Sequence, residues 1–315
     1  GIIHLLQADF RVFKYCILHK VDILLGSDIS ITHVAFILGK KSLAFTDDDY
    51  YFIGPYSKLA FPYATFVIAP EVVNLGKWTK KKIAYPGTQK TAYLHPRYYH
   101  PNPEIKKKYG LCNKRYILVR RVEFTALHDS MHIALTGITD FVLDELIKLL
   151  SHTHQIIISY EGNAVEKYQE YIMKIDPEDM IDLIFYADLL VGDSQSMQVE
   201  AALLGTPSIR SNKWVLQGDK ISVIHYLETK YNLCVGIPPA EEGRIIATAK
   251  ELVEPGNKEI WAERLAKFYA ENISLTDLLF WLISNLSVNC SELHAHPDRM
   301  ADFLFRQLHV GSDKL

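Results

Sequence analysis

The chain has no long apolar run. No stretch approaches the ~20 residues that a membrane-spanning helix needs. The most apolar late segment, LTDLLFWLIS, is short enough to be a buried helix. Cysteine is scarce: Cys16, Cys112, Cys234 and Cys290 lie far apart and form no C-x-x-C pair. That argues against a disulfide framework and for a reduced, cytoplasmic protein. Neither sign of charge dominates, with 34 Lys plus Arg against 37 Asp plus Glu, which excludes a nucleic-acid binder of the basic kind. An initiator Met and the grammar of a signal peptide are also missing.

What is present is bulk. The 315 residues are 49% hydrophobic, more than one ordinary domain needs, so two domains of roughly 150 residues are expected. An internal repeat supports this. VDILLGSDISITHVAFILGKKSL (Val21–Leu43) aligns without a gap on ADLLVGDSQSMQVEAALLGTPSI (Ala187–Ile209). Asp22, Leu24, Gly26, Ser30, Ala35, Leu38, Gly39 and Ser42 match Asp188, Leu190, Gly192, Ser196, Ala201, Leu204, Gly205 and Ser208. Each copy reads as a buried parallel strand, a glycine turn, a capped helix, a glycine able to take the left-handed conformation, and a returning strand.

Further segments fit the same plan. Residues 115–122 and 155–162 read as strands, 140–151 and 176–187 as helices, and 5–20 as an amphipathic helix with Leu6, Phe10, Phe13 and Ile17 on one face. Strands alternating with helices predict an α/β fold with parallel sheets. The stretch YPGTQKTAYLHPRYYHPNP (Tyr85–Pro103) has no period and reads as a crossing between domains. The expected division is residues 1–103, then a nucleotide-binding domain at 104–255, then helices at 256–315 packing on or across both. Only one clear βαβ unit precedes the crossing, so the first domain is expected to be truncated at its amino terminus by ~50–80 residues.

The segment LLVGDSQSMQVEAALLGTPSIRSN carries the chemistry. A helix N-terminus favours anions, and ligands of open α/β sheets sit at the carboxyl ends of strands. Gly192, Asp193, Ser194, Gln195 and Ser196 stand at that place. Ser194 and Ser196 can donate to a phosphate; the plainer reading is that Asp193 or Ser196 caps the helix. Glu200, one turn on, can reach ribose hydroxyls or lie on a solvated helix face.

This segment resembles the nucleotide-binding stretch of non-hydrolysing UDP-N-acetylglucosamine 2-epimerases: Asp-Ser-Gly-Gly, a bulky residue, Gln-Glu-Glu-Ala, then Leu-Gly-x-Pro. With YPGTQKTAYLHP it is also similar to an uncharacterised bacterial and archaeal family of the same GT-B fold, in which two Rossmann-like domains face a cleft. The resemblance implies that Ser194 contacts a phosphate and Glu200 the ribose, and Gln195 and Ser196 stand where the epimerases have glycine. By the same resemblance Asp28, in Gly26-Ser27-Asp28, and Asp47 or Asp48, in FTDDDYY, are candidate catalytic acids. Two carboxylates in one cleft can have their pKa values pushed apart, although three successive Asp also suit a solvated turn. Asp47-x-Asp49 matches a short metal-binding pattern of another transferase fold, which the repeat argues against.

The epimerases' His-Arg-x-Glu-Asn motif falls on VRRVEF. Arg120 and Arg121 become diphosphate candidates and Glu123 a catalytic one, with no His at the comparable place. His152-x-His154 and His294-x-His296 read as exposed, and no metal site is expected. Lys80–Lys82 and Lys106–Lys108 read as solvated faces, with a peripheral hold on an acidic membrane the most they imply.

The expected function is that of a nucleotide-sugar-dependent transferase or epimerase of surface-polysaccharide or glycoconjugate biosynthesis. It would take a UDP-sugar as ligand and no other cofactor, with a sugar or glycan acceptor and a homodimer both compatible. The alternative is a non-catalytic nucleotide-sugar or glycan-binding protein, or a partner subunit in polysaccharide assembly.

Overall fold

A computed structural model describes residues 2–121, 137–160, 166–216 and 221–284. In chain order its elements begin with α1 (Ile2–Leu18), β1 (Ile23–Gly26), α2 (Ile29–Leu38), β2 (Lys41–Phe45), α3 (Gly54–Ala60), β3 (Phe66–Pro70), β4 (Lys82–Tyr85) and α4 (Thr91–Leu94). Then follow α5 (Ile105–Lys108), β5 (Tyr116–Arg121), α6 (Asp140–Leu150), β6 (Gln155–Tyr160), α7 (Met180–Tyr186), β7 (Leu189–Gly192) and α8 (Gln195–Leu204). The remainder are β8 (Ser208–Arg210), α9 (Lys213–Leu216), α10 (Ser222–Thr229), β9 (Val235–Gly236), α11 (Glu242–Leu252), α12 (Asn257–Glu271) and α13 (Leu275–Ser284).

The chain forms two compact units. The first gathers residues 1–92, 221–223 and 271 onward, and the second 93–220 and 224–270. The units therefore divide at Ala92/Tyr93, ahead of the expected residue 103, and of the late helices α12 belongs almost wholly to the second unit and α13 to the first.

The first unit is built on a four-stranded sheet in the order β1-β2-β3-β4, parallel throughout. Leu43, Phe45, Ile68, Ile83 and Tyr85 of its strands form one core with Ile273, Leu275, Leu278 and Leu282 of the returning segment. On the other side Cys16, Leu24, Val34 and Ala35 pack with Val12 and Phe13. Thus α1 buries its Val12–Phe13–Cys16 face, while Leu6, Phe10 and Ile17 of the expected apolar face are more than half exposed. Strand β1 is the last in its sheet.

The second unit is built on a five-stranded parallel sheet in the order β6-β5-β7-β8-β9. Strand β7 is buried along its whole length, as a strand covered on both faces must be. Numbered within the unit the order is 2-1-3-4-5, which puts the topological switch point between β5 and β7. The two repeat copies are β1-α2-β2 and β7-α8-β8. Both helices end on a left-handed glycine, Gly39 at φ 63° and Gly205 at φ 71°. These are two Rossmann-like α/β units of GT-B-like kind.

The lysine runs do not behave as solvated faces throughout. Lys81 Nζ donates to the carbonyls of Phe61, Pro62 and Ala64, and Lys82 Nζ to those of Glu71 and Val73. Two cations thus close the loops flanking β3, and burial pulls the Lys82 amine down to about 8. His154 also departs from expectation. It is buried, with Nδ1 2.8 Å from Thr153 Oγ1 and Nε2 3.8 Å from Asp188. Among the described residues no cluster suits a metal ion, and no helix is long and apolar enough to cross a membrane.

Candidate functional site

Strands β5 and β7 run side by side with Arg120 opposite Gly192. A side chain at Gly192 would place its Cβ 2.8 Å from the Arg120 carbonyl oxygen, so close backbone approach demands glycine there. Beyond it, Asp193 is buried, and its carbonyl accepts from Asn212 Nδ2 at 2.9 Å. Ser211 N donates to the Gly192 carbonyl at 2.9 Å. The end of β8 therefore braces the 192–193 turn.

Ser194, rather than Asp193 or Ser196, is the N-cap of α8, its Oγ accepting from Met197 N at 3.4 Å. The hydroxyl proton of Ser194 is not used in that bond, so capping and donation to an anion are compatible. Gln195 opens the helix with its side-chain oxygen 2.9 Å from Nη1 of Arg210. Arg210 is fully buried and also reaches Glu228 at 3.1 Å. Ser196 is exposed.

A cavity of about 600 Å³ opens beside this turn, within the second unit. Arg120, Ser159 and Tyr160 line it from the ends of β5 and β6, and Met197 and Glu200 from α8. Apolar side chains of Ile172, Ile175, Met180 and Ile181 supply much of the remaining wall. Lys174 adds a second cation to the lining, and the volume suits a small organic ligand.

Arg120 Nη1 donates to Ser159 Oγ at 2.7 Å. Burial lowers the Arg120 pKa and the charge of Asp193 opposes that shift; a guanidinium stays cationic regardless. Arg121 turns instead to Asp140, with Nη1 2.5 Å from Oδ1. Glu200 is half-buried rather than solvated, and accepts from the Tyr93 hydroxyl at 2.9 Å. The structure thus brings Arg120 and Glu200 to one cavity and leaves Arg121 in a surface ion pair.

In the first unit the candidate acids stand after adjacent strands. Asp28 caps α2, its Oδ1 accepting from Ser30 N at 2.7 Å. Asp47 is half-buried, and desolvation raises its pKa against the pull of Lys90. Asp48 is exposed by surface area, yet desolvation first, then the charges of Asp47 and Asp49, push it up to about 6. Asp49 is fully buried and committed: it accepts from Asn74 N at 2.7 Å and from Ser222 N and Oγ at 3.0 and 2.8 Å. Its role is structural, which removes it from any metal pair with Asp47. Glu123, His294 and His296 lie outside the described residues.

Sequence reasoning passed over Tyr93, Ser159 and the 172–181 wall. Tyr93 falls in the aperiodic stretch, and the wall follows β6 with no motif of its own.

Comparison with known proteins agrees with this architecture. The profile of the family described as "Protein of unknown function (DUF354)" matches residues 16–259. The uncharacterised protein MJ0665 of Methanocaldococcus jannaschii is 23% identical over 239 residues, 68% of each chain. Among solved structures, the S. aureus MnaA–UDP co-structure has a TM-score of 0.62 at 15% identity, covering 91% of this chain and 81% of that one. The UDP-GlcNAc 2-epimerase of M. jannaschii has a TM-score of 0.58 at 13% identity, covering 80% and 76%. The spinosyn forosaminyltransferase SpnP has 0.54 at 12%, covering 89% and 78%.

Proposed function

We propose that this chain, which belongs to the DUF354 family, is a nucleotide-sugar-dependent enzyme, a glycosyltransferase or an epimerase-like protein of glycoconjugate biosynthesis, with a UDP-sugar as its ligand. One observation carries the reading. A cavity at the switch point of the second sheet holds a half-buried cation, Arg120, and a half-buried carboxylate, Glu200, in a lining that mixes polar and apolar side chains. A nucleotide presents complementary groups: an anionic phosphate, a diol and a flat base.

In this reading Arg120, Ser194 and Ser196 meet the phosphates, while Glu200 accepts from the ribose. Asp47 and Asp48 exchange protons with the sugar: burial raises the Asp47 carboxyl, and Asp48, pushed up to about 6, can both give and take a proton near neutrality. Asp28 is the third candidate, its capping bond fixing its orientation. The fold shared with a UDP complex and with sugar transferases supports the ligand class.

A second reading, binding without turnover, draws on Gln195. Its side chain, held by Arg210, stands at the first position of α8, where the epimerase pattern has glycine. Calorimetry and product analysis with a panel of nucleotide-sugars separate the two. Turnover of a UDP-sugar that Asp47→Asn abolishes supports the enzyme. Binding with no turnover of any donor supports the second reading. No binding of UDP or any UDP-sugar refutes both.

A further inference from the structure

We infer that Tyr109 is a positioning residue of the cavity: its hydroxyl clips Asp176 and Asp179 and so holds the apolar side chains of the 172–181 wall at contact distance from a bound ligand. The inference rests on the nucleotide reading above and adds to it a residue that acts on the ligand only through the wall.

The wall segment has two faces. Asp176, Asp179 and Asp182 recur at every third residue, and all three meet the 99–109 segment. Ile175, Pro177, Met180 and Ile181 line the cavity instead. At its front the segment is tied to β6, where Met173 N donates to the Ile158 carbonyl at 3.1 Å. It then leaves the sheet and makes one turn, Pro177–Asp179, before α7 begins. The clip falls on that turn. The Tyr109 hydroxyl donates to Asp179 Oδ2 at 2.6 Å and accepts from Asp176 N at 3.0 Å. Lys108 Nζ reaches Asp176 and Asp179 at 2.8 and 2.5 Å. Further on, Asp182 accepts from the Tyr99 hydroxyl at 2.7 Å and from Asn102 N at 3.1 Å.

Exposure decides which of the two neighbours matters more. The Lys108 side chain is 48% exposed, and a surface ion pair of that kind contributes little. Tyr109 is half-buried and bonds a carboxylate whose side chain is 14% exposed, a stronger contact than one between neutral groups. Lys108 and Tyr109 together hold the Asp179 carboxyl below its usual range, so it stays an acceptor at any working pH. What the clip protects is contact. A gap of about 0.5–1 Å forfeits roughly a quarter to a half of the dispersion energy between two surfaces. A wall free to drift is competent only part of the time, and apparent affinity falls by that fraction.

Calorimetry with UDP, and with pyrophosphate in competition against it, tests this on the full chain. The proteins are wild type, Tyr109→Phe, Asp179→Ala and the double variant. Pyrophosphate carries the anionic part of the ligand alone and has nothing to press on the wall. Tyr109→Phe keeps the ring and removes both hydroxyl bonds. It should weaken UDP by roughly three- to tenfold and leave pyrophosphate within about twofold of wild type. Asp179→Ala should weaken UDP similarly, and the double variant little further, because both break one clip. Equal loss of UDP and pyrophosphate overturns the inference, since it marks a general loosening of the unit. UDP binding that Tyr109→Phe leaves unchanged overturns it too. Should Tyr109→Phe fail to fold, Lys108→Met, at an exposed position, reads the same split between the two ligands. Wild type that binds neither ligand overturns the nucleotide reading and this inference with it, a result distinct from wild-type UDP binding that the variants leave untouched.

Discussion

Glu200 and Asp48 are the residues whose substitution says most. Removing the Glu200 carboxylate with Ala should weaken UDP by about 1–3 kcal/mol. The melting temperature should hardly move, because the side chain lines a cavity rather than filling a core. Unchanged affinity with a large drop in melting temperature, read by calorimetry and a thermal scan, would make Glu200 structural. Asp48 predicts a pH effect. Its folded pKa is raised to about 6, so the native state holds more protons than the unfolded one between pH ~4 and ~6, and stability falls as pH rises through that window. Asp48→Asn should therefore stabilise the chain at pH 7.5 and leave it unchanged below pH 4. The gain should be at most about 1 kcal/mol, since solvent reaches the group; denaturant titrations at both pH values check it. The sequence offered Arg120 or Arg121 through the resemblance of VRRVEF to the epimerases' motif, and Glu200 through its place one turn into the helix after β7. The contacts of Lys81 and Lys82 were not legible, because a half-buried lysine that satisfies carbonyls is spelled like a solvated one. Tyr93 was missed for a related reason: its partner is remote in the chain and no periodicity joins them.

At the scale of elements, the repeat was the most informative signal, and its two copies make a matched experiment. Gly39 and Gly205 end equivalent helices in the same left-handed conformation. A Cβ on Gly39 meets nothing within 4 Å, whereas one on Gly205 lies 3.0 Å from Leu265 Cδ2. Gly39→Ala should cost only the conformational strain, roughly 1–2 kcal/mol. Gly205→Ala should cost that and whatever the displacement of Leu265 adds. Equal costs in urea unfolding would show that Leu265 gives way freely. Strands β1, β5, β6 and β7 could be read directly, since buried parallel strands are largely apolar runs between turn residues, whereas β2 and β8 were read as the returning strands of the repeat. Strand β4 was hidden because Lys82 opens it and its apolar content is short. Strand β9 spans only Val235–Gly236, too little sequence to carry any period.

For the whole molecule, a ligand that binds only the folded state must raise the melting temperature. UDP at a hundred times its dissociation constant should add about 2.7 kcal/mol, a rise that Glu200→Ala should shrink in step with its lost affinity. The α/β class and the twin arrangement were legible from alternating strands and helices. The routing of the chain was not, because nothing in the composition of α12 or α13 says which sheet each will join. That routing has a consequence for biosynthesis. Leu275, Leu278 and Leu282 are almost wholly buried in the core of the first unit, though nearly two hundred residues of intervening chain separate them from its sheet. On a ribosome, the amino-terminal sheet must wait with that face uncovered until the entire second unit has emerged. A chain that ordinarily would fold from its beginning is bound to close its first half last, and any stall in translation between the two leaves an apolar parallel sheet in the hands of chaperones.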